Sequence, residues 1–138
     1  MADLSAIAVD VGPGLFTGMR VGIASAASLA WALELPVVPV CSLDALAMNA
    51  EWSDNVVAAS LDARRGEVYW SLYRYIDGKL RQVTTPRAST VEECALQTID
   101  RGQSTLFVGN GALRYRNEIE LVVAGVLPRF EFADEMAA

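Results

Sequence analysis

The sequence predicts an α/β fold in two parts, with parallel strands and crossover helices in the first part and an antiparallel meander opening the second. Three observations predict it. Up to about Asn49, short apolar runs alternate with helix-length segments in the order β-α-β-α, which requires crossovers between parallel strands. From Ser53 the pattern changes to three successive strand-like runs separated by turn residues. A helix, a strand and a second helix then follow, so the second part reads β-β-β-α-β-α.

Each element has a local cause. Ala6 to Val11 is a short apolar run broken by Gly12-Pro13-Gly14. Thr17 is placed to cap a helix that continues through Leu33 and stops before Pro36. Val37 to Val40 is a second strand, and Ser42 is placed to cap a short helix to about Asn49. Asn55 to Leu61, Glu67 to Ile76 and Lys79 to Thr84 form the meander, turning at Arg64-Arg65-Gly66 and at Asp77-Gly78. Ser89 or Thr90 caps a helix to about Asp100, with Glu92 and Glu93 in the first turn, where the helix dipole favours acids. Ser104 to Val108 is a strand, Gly109-Asn110-Gly111 a turn, and Ala112 to Ala124 a helix; the segment around Pro128 and Phe130 gives no clear element.

Composition narrows the function classes. Hydrophobic residues make up 53% of the 138 residues and charged ones 20%, a globular balance. The longest apolar stretch, Val21 to Val40, is interrupted by Ser25, Ser28, Glu34 and Pro36, and does not read as a membrane span. Met1-Ala2-Asp3-Leu4-Ser5 lacks the basic-then-apolar pattern of a signal peptide, so the expected location is the cytoplasm. Cys41 and Cys94 form no CxxC and read as reduced thiols. The chain has no histidine, which excludes Ser-His-Asp and Cys-His catalysis and every histidine metal site, while an all-carboxylate magnesium site stays open. The net charge is −6 and no long basic cluster appears; Arg114 and Arg116 stand one residue apart. Affinity for nucleic acid rests on cations against phosphates, so any work on RNA points to a partner that does most of the holding.

The candidate chemistry lies in Gly12-Pro13-Gly14-Leu15-Phe16-Thr17-Gly18-Met19-Arg20, between a strand and a helix. Glycines and the free N–H groups of a helix start suit a phosphate or other anion, and equally suit a tight structural turn. The segment is neither a Walker A loop nor the dinucleotide fingerprint: no Gly-Lys-Ser/Thr follows, and Gly12, Gly14 and Gly18 give GxGxxxG. Asp10, at the strand end beside this loop, is either a magnesium ligand or a solvated acid. Gly18, Gly22, Ala26 and Ala30 recur every fourth residue and share one helix face. A face with so little side chain packs either on the protein's own sheet or on a helix of another subunit. Asp62 and Glu67 flank the arginine turn as candidates for a turn-stabilising ion pair, and Tyr69, Tyr73 and Tyr75 share one strand face, as a half-buried surface or a base-stacking one. On these residues alone, a small magnesium-dependent ATPase or phosphotransferase stands beside a binding and scaffold protein.

The run from Gly12 to Ala24 closely resembles the GPGSFTGLRVG signature of the TsaB/YeaZ family, with Leu15 in place of the usual serine. Pro36 to Ala47 is similar to the family's second strand and following helix, Leu61 to Trp70 to its DARRGEVYW hairpin, and Phe107 to Ala112 to a weaker later motif. The resemblance implies the actin-like ATPase fold of two RNase H-like lobes, here an incomplete first lobe over residues 1–52 and most of a second over 53–138. Family members open with three further strands, a phosphate-contacting turn and a first helix, and close with a helix that this chain does not reach. The resemblance also implies a non-catalytic subunit in the making of threonylcarbamoyladenosine beside the tRNA anticodon. Its partners would be a TsaD-like catalytic subunit, a TsaE-like ATPase and, when alone, a second copy. tRNA would be met through the complex, with no cofactor of its own and any ATP or magnesium at the level of the full complex. The lack of histidine fits the partner subunit, because the catalytic one binds metal through histidines.

Overall fold

In the first 45 residues the β-α-β order forms as the sequence predicts. The computed structural model describes residues 3–50 and 53–133. β1 (Ile7–Asp10) and β2 (Val37–Val40) pair in parallel with Ile7 opposite Val37, and α1 (Phe16–Leu33) is the crossover. α1 starts one residue before Thr17, which is therefore inside the helix and not its cap: the N-cap position is Leu15, extended at φ −66° and ψ 120°, and no side chain caps it. The helix stops at Glu34, in the left-handed region at φ 53°, whose N–H donates to the carbonyls of Ala30 and Trp31. Leu35 N–H also reaches the Ala30 carbonyl at 2.9 Å, so the last carbonyls are satisfied before Pro36 forbids continuation. Pro39 stands in β2, whose other edge carries no strand among the described residues, a position where its missing N–H breaks no ladder.

α2 (Ser42–Met48) follows, with Ser42 as its first residue and not a cap. Residues 1–45 and 46–138 form two compact units. The expected boundary between residues 52 and 53 falls at Trp52, which with Glu51 lies outside the described residues.

The second unit is a six-stranded mixed sheet. β3 (Val56–Arg64), β4 (Glu67–Ile76) and β5 (Lys79–Gln82) make the predicted meander, and β7 (Thr105–Val108) pairs in parallel with β3. The strand order is β5-β4-β3-β7-β8. β3 runs three residues beyond Leu61 because the ladder to β4 continues through a register shift between Asp62 and Arg64. Two strands escape the sequence reading. β6 (Arg87–Thr90) follows Pro86 and has little apolar content, yet pairs with the first half of β4, where the Trp70 indole N–H donates to Ser89 Oγ at 2.8 Å. β8 (Phe130–Phe132) adds in parallel to β7, with the rings of Phe107 and Phe132 stacked at 5.1 Å. Residues 134–138 lie outside the described residues.

α3 (Val91–Ile99) is capped as predicted: Thr90 Oγ1 accepts the Glu93 N–H. Gly109-Asn110-Gly111 is not a free turn, because Asn110 already begins α4 (Asn110–Arg114). The single helix expected over Ala112 to Ala124 is two, α4 and α5 (Arg116–Val123), divided at Tyr115 (φ −107°, ψ 27°). α3, α4 and α5 close one sheet face around Trp70, Leu72, Phe107, Cys94, Ile119 and Val123. Burying such side chains contributes about 1.5–3 kcal/mol each and makes this unit's core.

Candidate functional site

The loop between β1 and α1 is held from within. Asp10 Oδ1 accepts the Gly12 N–H at 2.7 Å, and the Ser42 hydroxyl lies 2.7 and 2.8 Å from the two carboxylate oxygens. Ser42 N–H donates to the Gly12 carbonyl at 2.9 Å, so the loop is pinned to the start of α2 at two levels. Gly12 is buried at φ 100°, and a Cβ there would stand 2.4 Å from Met19 Sδ, so both conformation and space require glycine. The Gly12–Pro13 peptide is cis. Pro13 and Gly14 are half-buried.

Beyond them the chain opens outward. Leu15 and Phe16 are 69% and 68% exposed, Thr17 and Gly18 are exposed, and Arg20 lies over the Phe16 ring at 5.3 Å. With no side-chain cap, the first N–H groups of α1 are left to solvent or a ligand. A groove of about 520 Å³ runs beside β1, lined among others by Asp10, Gly14, Leu15, Gly18, Gly22 and Ala26. The four small residues of α1 do not share one environment. A Cβ added at Gly18 or Gly22 would meet nothing within 4 Å, Ala26 is half-buried, and Ala30 is buried. Among the described residues no three of His, Cys, Asp and Glu converge as a metal site.

A second constellation, in the second unit, is one that the sequence does not bring together. Asp62 accepts from Arg64 N–H at 2.9 Å and from the Tyr115 hydroxyl at 3.1 Å, and its other oxygen meets Arg114 Nη1 at 3.2 Å. The Gly66 N–H donates to the Tyr115 hydroxyl at 3.2 Å, and the Asp62 N–H donates to Asn110 Oδ1 at 2.9 Å. Asp62 thus stabilises the turn, but its ion pair is with Arg114 from α4. This approach depends on Gly109 (φ 98°) and Gly111, where a Cβ would come to 2.1 Å of the Ser60 carbonyl oxygen and 2.9 Å of the Leu61 carbonyl carbon. The sequence signal was the Gly-Asn-Gly spacing, whose partner strand lies some fifty residues upstream. Tyr73 is 1% exposed and belongs to the core, which removes it from any stacking surface; Tyr69 and Tyr75 are half-buried.

The mixed sheet with helices packed on it, together with its likeness to solved structures, defines the class: an α/β protein of the actin-like, RNase H-like fold. YeaZ from Pseudomonas aeruginosa superposes with a TM-score of 0.66 at 29% identity, over 92% of this chain and 57% of that one. The chain belongs to the TsaB/YeaZ branch of the family described as "TsaD: tRNA N6-adenosine threonylcarbamoyltransferase", whose model matches residues 1–127. The tRNA threonylcarbamoyladenosine biosynthesis protein TsaB of Bacillus subtilis (strain 168) is 37% identical over 121 residues, 88% of this chain and 53% of the relative. The protein of the same name from Escherichia coli (strain K12) is 46% identical over 77 residues, 54% of this chain and 33% of the relative. The chain therefore spans about half the length, or less, of these relatives. No helix among the described residues is long and apolar enough to cross a membrane.

Proposed function

We propose that the chain acts in the making of threonylcarbamoyladenosine on tRNA as a non-catalytic, cytoplasmic partner subunit that binds a TsaD-like catalytic subunit. The observation that carries this reading is the uncovered surface of α1. An eighteen-residue helix buries Ala30 alone: Phe16, Val21 and Trp31 are 68%, 62% and 86% exposed, and on another side of the helix Gly18 and Gly22 have open space above them. Apolar surface of this kind marks a contact with another protein, and glycines let a second backbone come close. The small-residue side of α1, Gly18, Gly22, Ala26 and Ala30, would also pair two copies when the catalytic subunit is absent. A TsaE-like ATPase would act on the assembly, and tRNA would be held mostly by it, because a chain of net charge −6 cannot supply most of the phosphate contacts.

The test is Gly22→Leu. The side chain enters open space in the chain itself, so circular dichroism and the melting temperature should hold. Overpacking at a helix–helix contact costs about 1–3 kcal/mol, so association with the catalytic subunit should weaken roughly five- to a hundredfold. Unchanged association, measured by sedimentation, would remove α1 from the interface. The enzyme reading is checked in the same preparation: magnesium-dependent ATP hydrolysis that vanishes in Asp10→Asn would replace the scaffold role with a catalytic one.

A further inference from the structure

We propose that the turn Arg64-Arg65-Gly66, with Arg114 beside it, is a contact for the phosphate backbone of RNA. Its starting point is a comparison of the two hairpins of the meander. Both turn through residues with positive φ: Asp77 and Gly78 at 53° and 72° in one, Arg65 and Gly66 at 56° and 78° in the other. Such turns favour Asn-Gly and Asp-Gly, because short polar side chains and glycine tolerate the left-handed region. The β4–β5 hairpin follows that preference. The β3–β4 hairpin places arginine there, and a second arginine, Arg64, at φ 69° immediately before it. Two consecutive arginines in a conformation that disfavours them serve nothing in the backbone, so their side chains carry the reason.

The surroundings say what those side chains meet. Both are exposed, and among the described residues neither has an ion-pair partner. The tip does not swing freely: Asp62 holds the Arg64 N–H, and the Tyr115 hydroxyl, itself held by Asp62, receives the Gly66 N–H. That clamp brings the Arg114-Tyr115-Arg116 segment to the tip, with Arg114 on Asp62 and Arg116 on Glu120 at 2.8 Å. Arg64, Arg65 and Arg114 therefore gather about the Asp62 clamp, the first two uncompensated, on a protein of net charge −6, while Arg116 turns to Glu120 and the Phe132 ring. A guanidinium fork matches phosphate oxygens in pairs. An acidic protein segment would also attract arginine, but the hot spots of protein contacts sit in well-packed, desolvated pockets, and Arg64, Arg65, Gly66 and Glu67 present an exposed polar tip. Phosphate contacts need no such anchor. Naming RNA as the polyanion rests on the proposed role in tRNA modification.

The experiment uses the full chain with its catalytic subunit and an unmodified tRNA transcript, with affinity measured between about 50 and 200 mM salt. In the double variant Arg64→Gly, Arg65→Asn, each substitution suits the backbone better, so the melting temperature should hold or rise. tRNA affinity should fall at least about tenfold at the lower salt, and the slope of log K against log salt should shrink by about 1.4–1.8, the share of two lost phosphate contacts. Arg65→Glu, which changes only the tip, supplies the same comparison if the double variant does not fold. Equal affinity and slope in a folded variant would reduce the tip to a structural turn and overturn the proposal. Loss of binding to a polyglutamate probe, with tRNA affinity intact, would also overturn it in favour of an acidic protein partner. Association with the catalytic subunit is read in parallel. If the wild-type chain associates and tRNA affinity ignores both arginines, the RNA contact alone falls. If the wild-type chain does not associate, the partner-subunit role falls and the RNA contact falls with it.

Discussion

The two units use the same β-loop-α-β device and finish it differently. In the second unit β7 has a strand on each side, β3 and β8, and Gly109 after it and Gly111 in the first turn of α4 lie against the backbone of β3. In the first unit β1 pairs with β2 alone, and Gly18 and Gly22 on the helix after it face open space. Trp70, Tyr73 and Phe107 are at most 1% exposed, whereas Trp31 is 86% exposed and Phe16 68%. The difference teaches that the second unit holds itself together through its own core. The first keeps apolar surface and open glycines exposed, which is the physical basis for proposing that it associates.

The comparison predicts where mutations will be felt. Trp70→Ala removes a fully buried ring of the core cluster and should cost about 3–5 kcal/mol, while Trp31→Ala should stay within about 0.5 kcal/mol. Denaturant unfolding of both variants checks this, and a large loss from Trp31→Ala would break the contrast. Gly109→Ala combines a forbidden φ with a collision against the Ser60 carbonyl and should cost about 3 kcal/mol. Gly22→Ala, in an open helical position, should stabilise by up to about 1 kcal/mol. Thermal melts of the pair sharpen the distinction between a glycine kept for packing and a glycine kept for an absent neighbour.

The smallest effect expected concerns the cysteines. Burial pushes the Cys94 thiol from 9.0 up to about 12, with the Glu93 carboxylate adding to it. Its folded value lies above the unfolded one, so the stability it contributes is intact below about pH 9 and is lost as the pH rises toward 12. At pH 8 an alkylating reagent should label half-buried Cys41 and spare Cys94 until denaturant unfolds the second unit. Labelling of Cys94 in the folded chain, detected by mass spectrometry, would show that the second unit opens as readily as the first.

Much of the fold was legible in short-range signals. The strand from Glu67 to Ile76 and the strand from Val37 to Val40 stand where their residues predict, and Thr90 caps α3 through the N–H three residues on. The failures have equally local explanations. Thr17 and Ser42 carry cap-like hydroxyls, but one lies inside α1 and the other binds Asp10, a choice set by a carboxylate thirty-two residues away. β6 and β8 are strands because β4 and β7 offer open edges, which their own residues do not announce. The candidate loop was legible as a motif, since Gly12 needs its conformation whatever surrounds it.

By itself the sequence determined the order of elements, the turn positions, the absence of histidine and the family, because each depends on residues within a few positions of one another or on composition. Only the tertiary structure decided which glycines are pressed against backbone and which face open space, since Gly109 and Gly22 differ in what lies across from them and not in themselves. It also decided that a chain of net negative charge carries a basic corner. Arg64 and Arg114 are fifty residues apart along the chain, and both bond Asp62 because Asp62 and Tyr115 close a hydrogen-bonded clamp between a strand end and a helix junction. Long-range pairing of this kind is fixed by register and burial, which no local pattern encodes.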